Sequence, residues 1–452
     1  MKSTLIISVL LIAINVQAMT EQDFVERLKF IHPFFKQQTL LSTIKKIEKV
    51  ATTANEDWIV ALDSTYQNET NAADALATYN DLTTTSIGVS ATKKHVTTGS
   101  DIVIKHTWSE NNKDLNSTHN QFSIDYVYPL LRNRGGINDR LSGDIAKISI
   151  AKNRLERLEA EEGFIFKQLT RFVDLAYAQQ QRLIDERRLT LAKKELTLVK
   201  KKYTASVVER VDVLLQEDAY QRAKQQLLQA QQELILLRHE IAIMLGLDFK
   251  EIVAEIDLYK MYNPKVTNLK NYLIENSRVL KISELEKNTI KRQLRSFKNQ
   301  SRAKLNLNLG LSNDTYSKSI DNQSTTWRVG LGLAYPLGGV QTKSDIQKAN
   351  QQILSLEQSK QQQLLDIYTK AKTLKEKIQL LKEMLTSNKV QIDIAKARTI
   401  EEKQRYVNGN GQASFVINAQ NNEQIVELNY TKTAKNYQKA VLEFKATIDR
   451  LL

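Results

Sequence analysis

Leucine alternates with polar or small residues over residues 303–312, where the sequence is AKLNLNLGLS. Because the side chains of a β-strand point alternately to opposite faces, this period of two predicts a strand with one apolar and one polar face. Residues 101–108, 121–128 and 326–335 show the same alternation, so the pattern predicts four strands. An apolar strand face packs on a core in a soluble sheet and contacts lipid in an outer-membrane barrel. The stretch 303–312 alone does not distinguish these two environments.

The stretch 326–335 favours the membrane interpretation. Its apolar face begins with Trp327 and ends with Tyr335, and aliphatic side chains lie between them. Aromatic rings at both interfaces, with an aliphatic band between, are typical of a strand that crosses a bilayer. We therefore predict that the apolar faces of all four strands contact lipid. The predicted membrane-facing residues are Ile102, Ile104, Trp108, Phe122, Ile124, Tyr126, Leu305, Leu307, Leu309, Leu311, Trp327, Val329, Leu331, Leu333 and Tyr335.

Long stretches with a helical period follow each pair of strands. The first half has helical patterns over 138–203 and 209–246, and the second half has them over 343–404 and 415–451. At 1.5 Å per residue, the two longer helices would each be roughly 95–100 Å long. Each half is therefore predicted to form a hairpin of one long and one short helix, over 138–246 and 343–451. Apolar positions in the first short helix recur three and four residues apart, as coiled-coil packing requires; they are Leu227, Ala230, Leu234, Leu237, Ile241 and Met244.

Two copies of a Tyr-Pro-Leu tripeptide indicate an internal repeat. One begins at Tyr128 and the other at Tyr335; each ends an alternating stretch, precedes a pair of glycines and leads into a long helical pattern. A period of about two hundred residues divides the chain into a first repeat over 19–246 and a second over 247–452. The fold class is therefore mainly α with a small β part, with two strands in each repeat.

The remaining segments, 19–81 and the equatorial segment 247–299, are predicted to form shorter helices. We expect breaks near Thr52–Glu56 and a kink near Pro264. Four strands cannot close a barrel, and an open edge in hydrocarbon would leave unpaired backbone groups that cost several kcal/mol each. Insertion into a membrane would therefore require several copies of the chain, with any multiple of four strands from eight upward.

The N-terminus has the features of a secretory signal peptide. Lys2 precedes an apolar run over 5–16, and Val16-Gln17-Ala18 is a small-residue cleavage pattern. We predict a signal peptide over 1–18 and no transmembrane helix, because no later stretch has the roughly 18 apolar residues that a helical span needs. The sequence contains no cysteine, which excludes disulfides and a cysteine that could carry a lipid anchor.

Composition gives little support for catalysis or nucleic-acid binding. The net charge is +14, but acids are interleaved with the bases along the helices, and export removes the usual nucleic-acid targets. The five histidines lack the spacing of metal ligands. Gly409-Asn410-Gly411 resembles half of a phosphate loop, but it interrupts a helical hairpin and follows no strand. We predict that the chain is not an enzyme and has no catalytic residue, cofactor, metal site or nucleic-acid partner.

Over essentially its whole mature length, the chain resembles the TolC-like outer-membrane channels, also called outer-membrane efflux proteins. The resemblance rests on the ordered combination of a signal peptide, two repeats, long–short helical hairpins and the junction motifs over 128–135 and 335–339. It implies a homotrimer whose twelve strands form one transmembrane barrel, continued by a periplasmic α-helical tunnel. It also implies docking to a periplasmic adaptor protein and an inner-membrane pump.

The resemblance further implies that the periplasmic entrance lies at the two hairpin tips. The family motif there is Tyr-x-x-Gly followed by Asp-Val-Leu. The first tip has Ser206 in place of the glycine and Asp212 at the acidic position, whereas the second has Phe415 where the acid is expected. Asp212 would form either a ring of acids or an ordinary solvated first turn, and Phe415 either an apolar constriction or a seam residue. The candidate gate and docking residues are Tyr203, Ser206, Arg210, Asp212, Tyr406, Gly409, Gly411, Phe415 and Asn418.

The leading hypothesis is a passive exit duct in the outer membrane that serves a tripartite efflux system or a type I secretion system. The sequence does not separate the export of small molecules from the export of proteins. The alternative from another class is a soluble periplasmic or surface coiled-coil protein whose sheet serves binding or scaffolding.

Overall fold

A computed structural model describes residues 18–70, 81–112, 117–249, 252–263, 266–317 and 322–451. Short 3₁₀ helices occur at Thr52–Glu56 and Arg134–Gly136. In these ranges the helices are α1 (Glu21–Ile31), α2 (Pro33–Ala51), α3 (Leu141–Thr204), α4 (Arg210–Leu245), α5 (Leu269–Asn276), α6 (Arg278–Gln300), α7 (Val340–Val407) and α8 (Ala413–Thr447). The strands are β1 (Ile59–Thr70), β2 (Asp81–His95), β3 (Ser100–Asn111), β4 (Ser117–Pro129), β5 (Lys304–Ser317) and β6 (Asn322–Ala334).

The chain divides into two compact units, each assembled from segments of both sequence repeats. The first unit comprises Met1–Thr39, Arg157–Arg278 and Gln363–Leu452. The second comprises Leu40–Glu156 and Val279–Gln362.

The first unit has a helical core built on the stripes that the sequence shows. Leu227, Leu234 and Ile241 of α4 are buried, and Leu237 and Met244 pack against the same core. Helix α1 joins this core through Phe24, which stacks on Phe172 of α3 with 4.5 Å between ring centroids. Both rings are fully buried. The stripe of α4 therefore packs within this helical core, as the three-and-four spacing predicts.

The second unit contains one antiparallel sheet with strand order β1-β2-β3-β4-β5-β6. Each strand pairs with its neighbours in the sequence, so the sheet is a meander. Strand β4 leads into α3 through the predicted pair of glycines. Gly136 has a φ of 62°, and a side-chain carbon there would lie 1.6 Å from the carbonyl oxygen of Val96. Glycine is required at this junction because any side chain would collide with the backbone.

The prediction of two strands in each repeat is wrong, because β1 and β2 give the first repeat four strands. Helices α1 and α2 do fill 21–51, and the break expected near Thr52–Glu56 is the first 3₁₀ helix. Beyond it the predicted helix is replaced by the β1–β2 hairpin. The apolar positions of β2 are few and stand among threonines and serines, so its sequence has a weak period of two. Pairing with β3 along its length nevertheless holds β2 in the sheet.

The other predicted elements have clear counterparts in the structure. The strands expected over 101–108, 121–128, 303–312 and 326–335 overlap β3, β4, β5 and β6, and helices α5 and α6 occupy much of 247–299. The four hairpin helices begin and end within about four residues of the predicted bounds. Most of the predicted signal peptide and the kink at Pro264 lie outside the described residues.

In the described part of the chain, every helix is too short or too polar to span a lipid bilayer.

Candidate functional site

The strand register places all the predicted membrane-facing residues of β3 to β6 on one face of the sheet. Tyr126 pairs with Leu309, and Leu309 in turn pairs with Val329. Residues paired across a sheet share a face, so these contacts propagate one apolar surface through the strands. Tyr335, one residue beyond β6, continues the same alternation and is exposed. The apolar stripes of the two repeats therefore form a single surface.

Strands β1 and β2 extend this apolar face, although the sequence analysis did not include them. Leu62 pairs with Val89, and Ile87 pairs with Trp108. Leu62 and Tyr66 of β1 are at least 70% exposed, as are Leu331 and Leu333 of β6. An exposed apolar surface that crosses six strands is far larger than the scattered apolar residues of a typical soluble surface.

The opposite face of the sheet is polar and carries charge. Asp125 lies 3.6 Å from Arg328 in an ion pair that crosses over Gly310 of the intervening strand β5. A side chain at Gly310 would lie 2.6 Å from a carboxylate oxygen of Asp125, so glycine leaves the space for this pair. Asp314 accepts hydrogen bonds from His119 at 2.9 Å and Gln121 at 2.8 Å. The sheet therefore separates a lipid-compatible face from a water-compatible face.

Both hairpin tips, which lie in the first unit, use the same backbone turn. Ser206 has a φ of 55°, and Val207 donates its N–H to the carbonyl of Lys202 at 2.9 Å. Gly409 has a φ of 80°, and Asn410 donates to Arg405 at 3.0 Å. Both are helix C-terminal turns that place one residue in the left-handed region. Ser206 thus occupies the conformation of the family's glycine despite having a side chain.

Substituting Ser206 by glycine is expected to stabilise the first tip by about 0.5–1 kcal/mol. The substitution removes a left-handed backbone penalty of roughly 1–2 kcal/mol, partly offset by the greater freedom of glycine in the unfolded chain. Hydrogen exchange at the Val207 amide should slow several-fold. The matched change Gly409→Ala should accelerate exchange at Asn410. Equal exchange in Ser206→Gly and the unmodified protein would show that Ser206 is not strained.

The structure brings some of the candidate gate residues together and leaves others apart. Burial raises the pKa of Tyr406, and the nearby carboxylates of Asp212 and Glu195 raise it further. The ammonium of Lys202 lies 4.4 Å from the centre of the Tyr406 ring. Tyr406 of the second tip therefore interacts with the first hairpin. By contrast, the candidate residues Tyr203, Arg210, Phe415 and Asn418 are exposed.

Glu195 joins all four hairpin helices close to the tips. Its carboxylate on α3 accepts hydrogen bonds from Gln216 of α4, at 3.1 Å, and from Gln420 of α8. Lys403 of α7 lies 4.0 Å from the same carboxylate. Glu195, Gln216 and Gln420 are buried. This cluster was not predicted from the sequence, although polar residues at seam positions of a coiled-coil pattern were the available signal.

A second buried polar layer lies farther from the tips. Gln424 of α8 donates to Asp185 of α3 at 2.7 Å and to Gln226 of α4 at 3.2 Å. Asp185 is 2% exposed. Burial raises the pKa of its carboxyl group, and the hydrogen bond from Gln424 opposes that shift. These layers join the helices through buried hydrogen bonds but also bury charge.

Asp185→Asn is expected to raise the free energy of unfolding at pH 7.5 by roughly 1 kcal/mol. Asparagine keeps the acceptor for Gln424 and removes a charge whose burial disfavours the folded state. Because the native pKa is raised, the penalty disappears as the pH falls through that pKa, so the two proteins should converge in acid. Chemical denaturation at pH 7.5 and at an acidic pH checks this prediction, with the substitution Asp366→Asn of an exposed residue as control. A constant difference across pH would contradict the charge explanation.

One acidic cluster in the first unit has the geometry of a cation site but already holds a guanidinium group. Glu159, Glu162 and Asp449 place carboxylate oxygens within 4.8 Å of one another. Arg278 contacts all three, at 2.6 Å from Glu159 and 3.1 Å from Asp449. The cluster is therefore a partly buried structural ion network rather than a candidate metal site.

Comparison with solved structures identifies the fold. No family model matches the sequence, and no curated protein is significantly similar to it. The outer-membrane channel OprN is similar, with a TM-score of 0.69, 13% identity and coverage of 95% of this chain and 89% of that chain. The outer membrane protein VceC of Vibrio cholerae has a TM-score of 0.65, 12% identity and 95% coverage of both chains. The open MtrE channel of Neisseria gonorrhoeae has a TM-score of 0.63, 13% identity and coverage of 95% and 89%.

The fold is thus that of a channel protein built from long helical hairpins and an antiparallel sheet. More specifically, it is the fold of the TolC-like outer-membrane channels, over 95% of the chain, as the sequence motifs predicted. The neighbours OprN and MtrE are channels, and the expectation that this chain is not an enzyme stays a prediction.

Proposed function

We propose that this chain is the outer-membrane exit duct of an export system and acts without catalysis. The single observation that carries the proposal is the two-faced sheet. Its apolar face crosses six strands and is exposed or half-buried, while its other face carries the ion pair of Asp125 and Arg328. A strand wall of this kind suits a barrel with lipid outside and water inside. The fold likeness to solved outer-membrane channels supports the same assignment.

The proposed working form is a homotrimer that crosses the outer membrane and extends into the periplasm as a helical tunnel. The signal peptide over 1–18 would direct export and be removed, and the strands rather than a lipid anchor would hold the protein in the membrane. A periplasmic adaptor and an inner-membrane pump would supply the cargo and the energy. Efflux of small molecules and type I secretion of proteins both fit this duct.

The hairpin tips are the proposed periplasmic entrance and adaptor-docking region. Lys202 of the first hairpin lies 4.4 Å from the centre of the Tyr406 ring of the second, and the carboxylate of Asp212 adds to the effect of burial in raising the pKa of Tyr406, which supports the assignment of Asp212 and Tyr406 to the gate. Three copies of Asp212 would form a ring of acids able to bind cations. Phe415 is half exposed, as a side chain facing a lumen or a partner would be.

Adjacent positions on β5 test the assignment of the two faces. Leu309→Arg places a charge on the proposed lipid face, at an expected cost of about 2–4 kcal/mol near the middle of the bilayer. The protein should then fail to reach the outer membrane. Asn308→Arg is the matched control, because the same charge one residue earlier falls on the polar face, and insertion should be preserved. The measurement is the amount of heat-modifiable oligomer in the outer-membrane fraction.

Two results would contradict the proposal. Normal insertion of Leu309→Arg would show that this face does not contact lipid. A soluble periplasmic protein, unaffected by either substitution, would favour the coiled-coil scaffold as the function.

A further inference from the structure

The sheet has two open edges that belong to different strands. Among the residues that the structure describes, strand β1 pairs only with β2, and strand β6 pairs only with β5, in the open order β1-β2-β3-β4-β5-β6. Every residue of β1 is exposed, and so are residues 323–334 of β6. The outer side of each edge strand therefore offers unpaired backbone N–H and C=O groups over twelve or thirteen residues.

These edges cannot remain open in the setting that the proposed function requires. In hydrocarbon each unpaired backbone group costs several kcal/mol, so spanning sheets are closed. The apolar face runs to both edges, with Leu62 exposed on β1 and Leu331 exposed on β6. A partner must therefore continue both the hydrogen bonds and the apolar surface.

The two edges are complementary to each other. An antiparallel meander with an even number of strands has its first and last strands in opposite directions, so β1 of a second copy continues the antiparallel order beyond β6. Both edge strands also carry the same order of side chains on the apolar face. Tyr66 and Trp327 lie towards the loop ends, and Trp58 and Tyr335 lie towards the helix ends, with aliphatic residues between them. Aligning these aromatic positions places Leu62 opposite Leu331.

We propose that β1 of one copy pairs with β6 of the next, so that the β1–β2 hairpin is part of the barrel wall. This inference rests on the proposed function. Each copy then contributes six strands, and a trimer forms a barrel of 18 strands rather than the twelve that the family resemblance implies. Because barrel diameter grows roughly linearly with strand number, the lumen is wider at the sheet than a twelve-stranded trimer would allow.

The competing seam would join β6 of one copy to β3 of the next and leave the β1–β2 hairpin outside the wall. That arrangement would break the pairing of β2 with β3, which extends over twelve residue pairs from Thr84 to His95. It would also remove Ile87 and Val89 from the apolar surface that they share with β3. The continuous pairing and the continuous apolar face both favour the seam between β1 and β6.

The absence of cysteine makes disulfide crosslinking a direct test. The full chain would carry Leu62→Cys with Leu331→Cys and be oxidised in outer membranes. Companion variants that combine Leu62→Cys with Val329→Cys or Leu333→Cys allow for a register between the two strands that is shifted by two residues in either direction. The control joins Leu331→Cys with Ile104→Cys of β3. We expect covalent dimers and trimers, reversible by a reductant, from one of the Leu62 pairs and none from the Ile104 pair.

Three results would overturn the proposal. Intermolecular crosslinks from the Ile104 pair alone would place the seam at β3. A crosslink from a Leu62 pair within one monomer would show that the sheet closes on itself. Membrane-inserted protein that forms no crosslink with any pair would show that another element covers the edges. Failure to insert at all, measured on the unmodified chain, would instead overturn the proposed function.

Discussion

Replacing Glu195 by leucine is expected to open the hairpin tips. The substitution removes the acceptor for Gln216 and Gln420 and leaves two buried N–H donors unpaired, at a cost of about 1–3 kcal/mol each. The packed arrangement of the four helices forms both hydrogen bonds, so if the proposed entrance opens by separation of the hairpin tips, this loss falls on the arrangement before opening. The conducting fraction should therefore increase at least tenfold, which corresponds to about 1.4 kcal/mol. Single-channel recording in planar bilayers is the measurement.

The control for this prediction is Glu217→Leu. Glu217 pairs with Lys200 at 2.7 Å, but both side chains are about half exposed, so the packing of the four helices should lose little stability. Glu195→Gln should give an intermediate result because it keeps an acceptor but loses the charge. An unchanged conducting fraction in Glu195→Leu, with the trimer intact, would remove Glu195 from the gate.

Arg278→Met is expected to lower the free energy of unfolding by about 3–5 kcal/mol, the usual cost of removing one partner from a buried ion network. Arg278 is the cation that contacts Glu159, Glu162 and Asp449, and its backbone N–H also donates to Asp449 at 2.7 Å. Without the guanidinium group, the three carboxylates repel one another in a partly buried site. Chemical denaturation at neutral pH measures the loss.

The loss in Arg278→Met should depend on pH with a defined sign. Burial already raises the pKa of Glu159, Asp449 raises it further, and the hydrogen bond from Arg278 lowers it. Removing Arg278 leaves only the raising effects, so the native state of the variant binds protons more readily than its unfolded state. Its deficit should therefore shrink in acid. The control Arg222→Met removes an exposed guanidinium and should change stability by less than about 0.5 kcal/mol. A deficit as small as the control's would show that the network is not stabilising.

The helical part of the fold could be predicted because its signals are long and repeated. The apolar stripe through Leu227, Leu234 and Ile241 recurs over several turns, and turn residues such as Gly409 separate the helices. The strands with strict alternation, such as β6 with Val329 and Leu331, were equally clear. In each case many residues agree on one period, so single exceptions do not obscure it.

The β1–β2 hairpin and the polar layers could not be obtained from the pattern. Val89 is one of the few apolar residues of β2, so the pattern of this strand is weak. The strand depends on its pairing with β3, a contact that the sequence does not display. Glu195 and Gln420 lie far apart in the chain and meet only because two hairpins pack together. Local period and spacing determine elements, whereas such clusters depend on tertiary packing.

The proposed function requires that this chain forms a water-filled route across the outer membrane. The most direct test is conductance through planar bilayers of protein purified from that membrane in its folded, heat-modifiable form. The account predicts discrete current steps of uniform size, each from one inserted oligomer. Folded protein that leaves the bilayer insulating, or that is recovered only as a soluble periplasmic monomer, would contradict it.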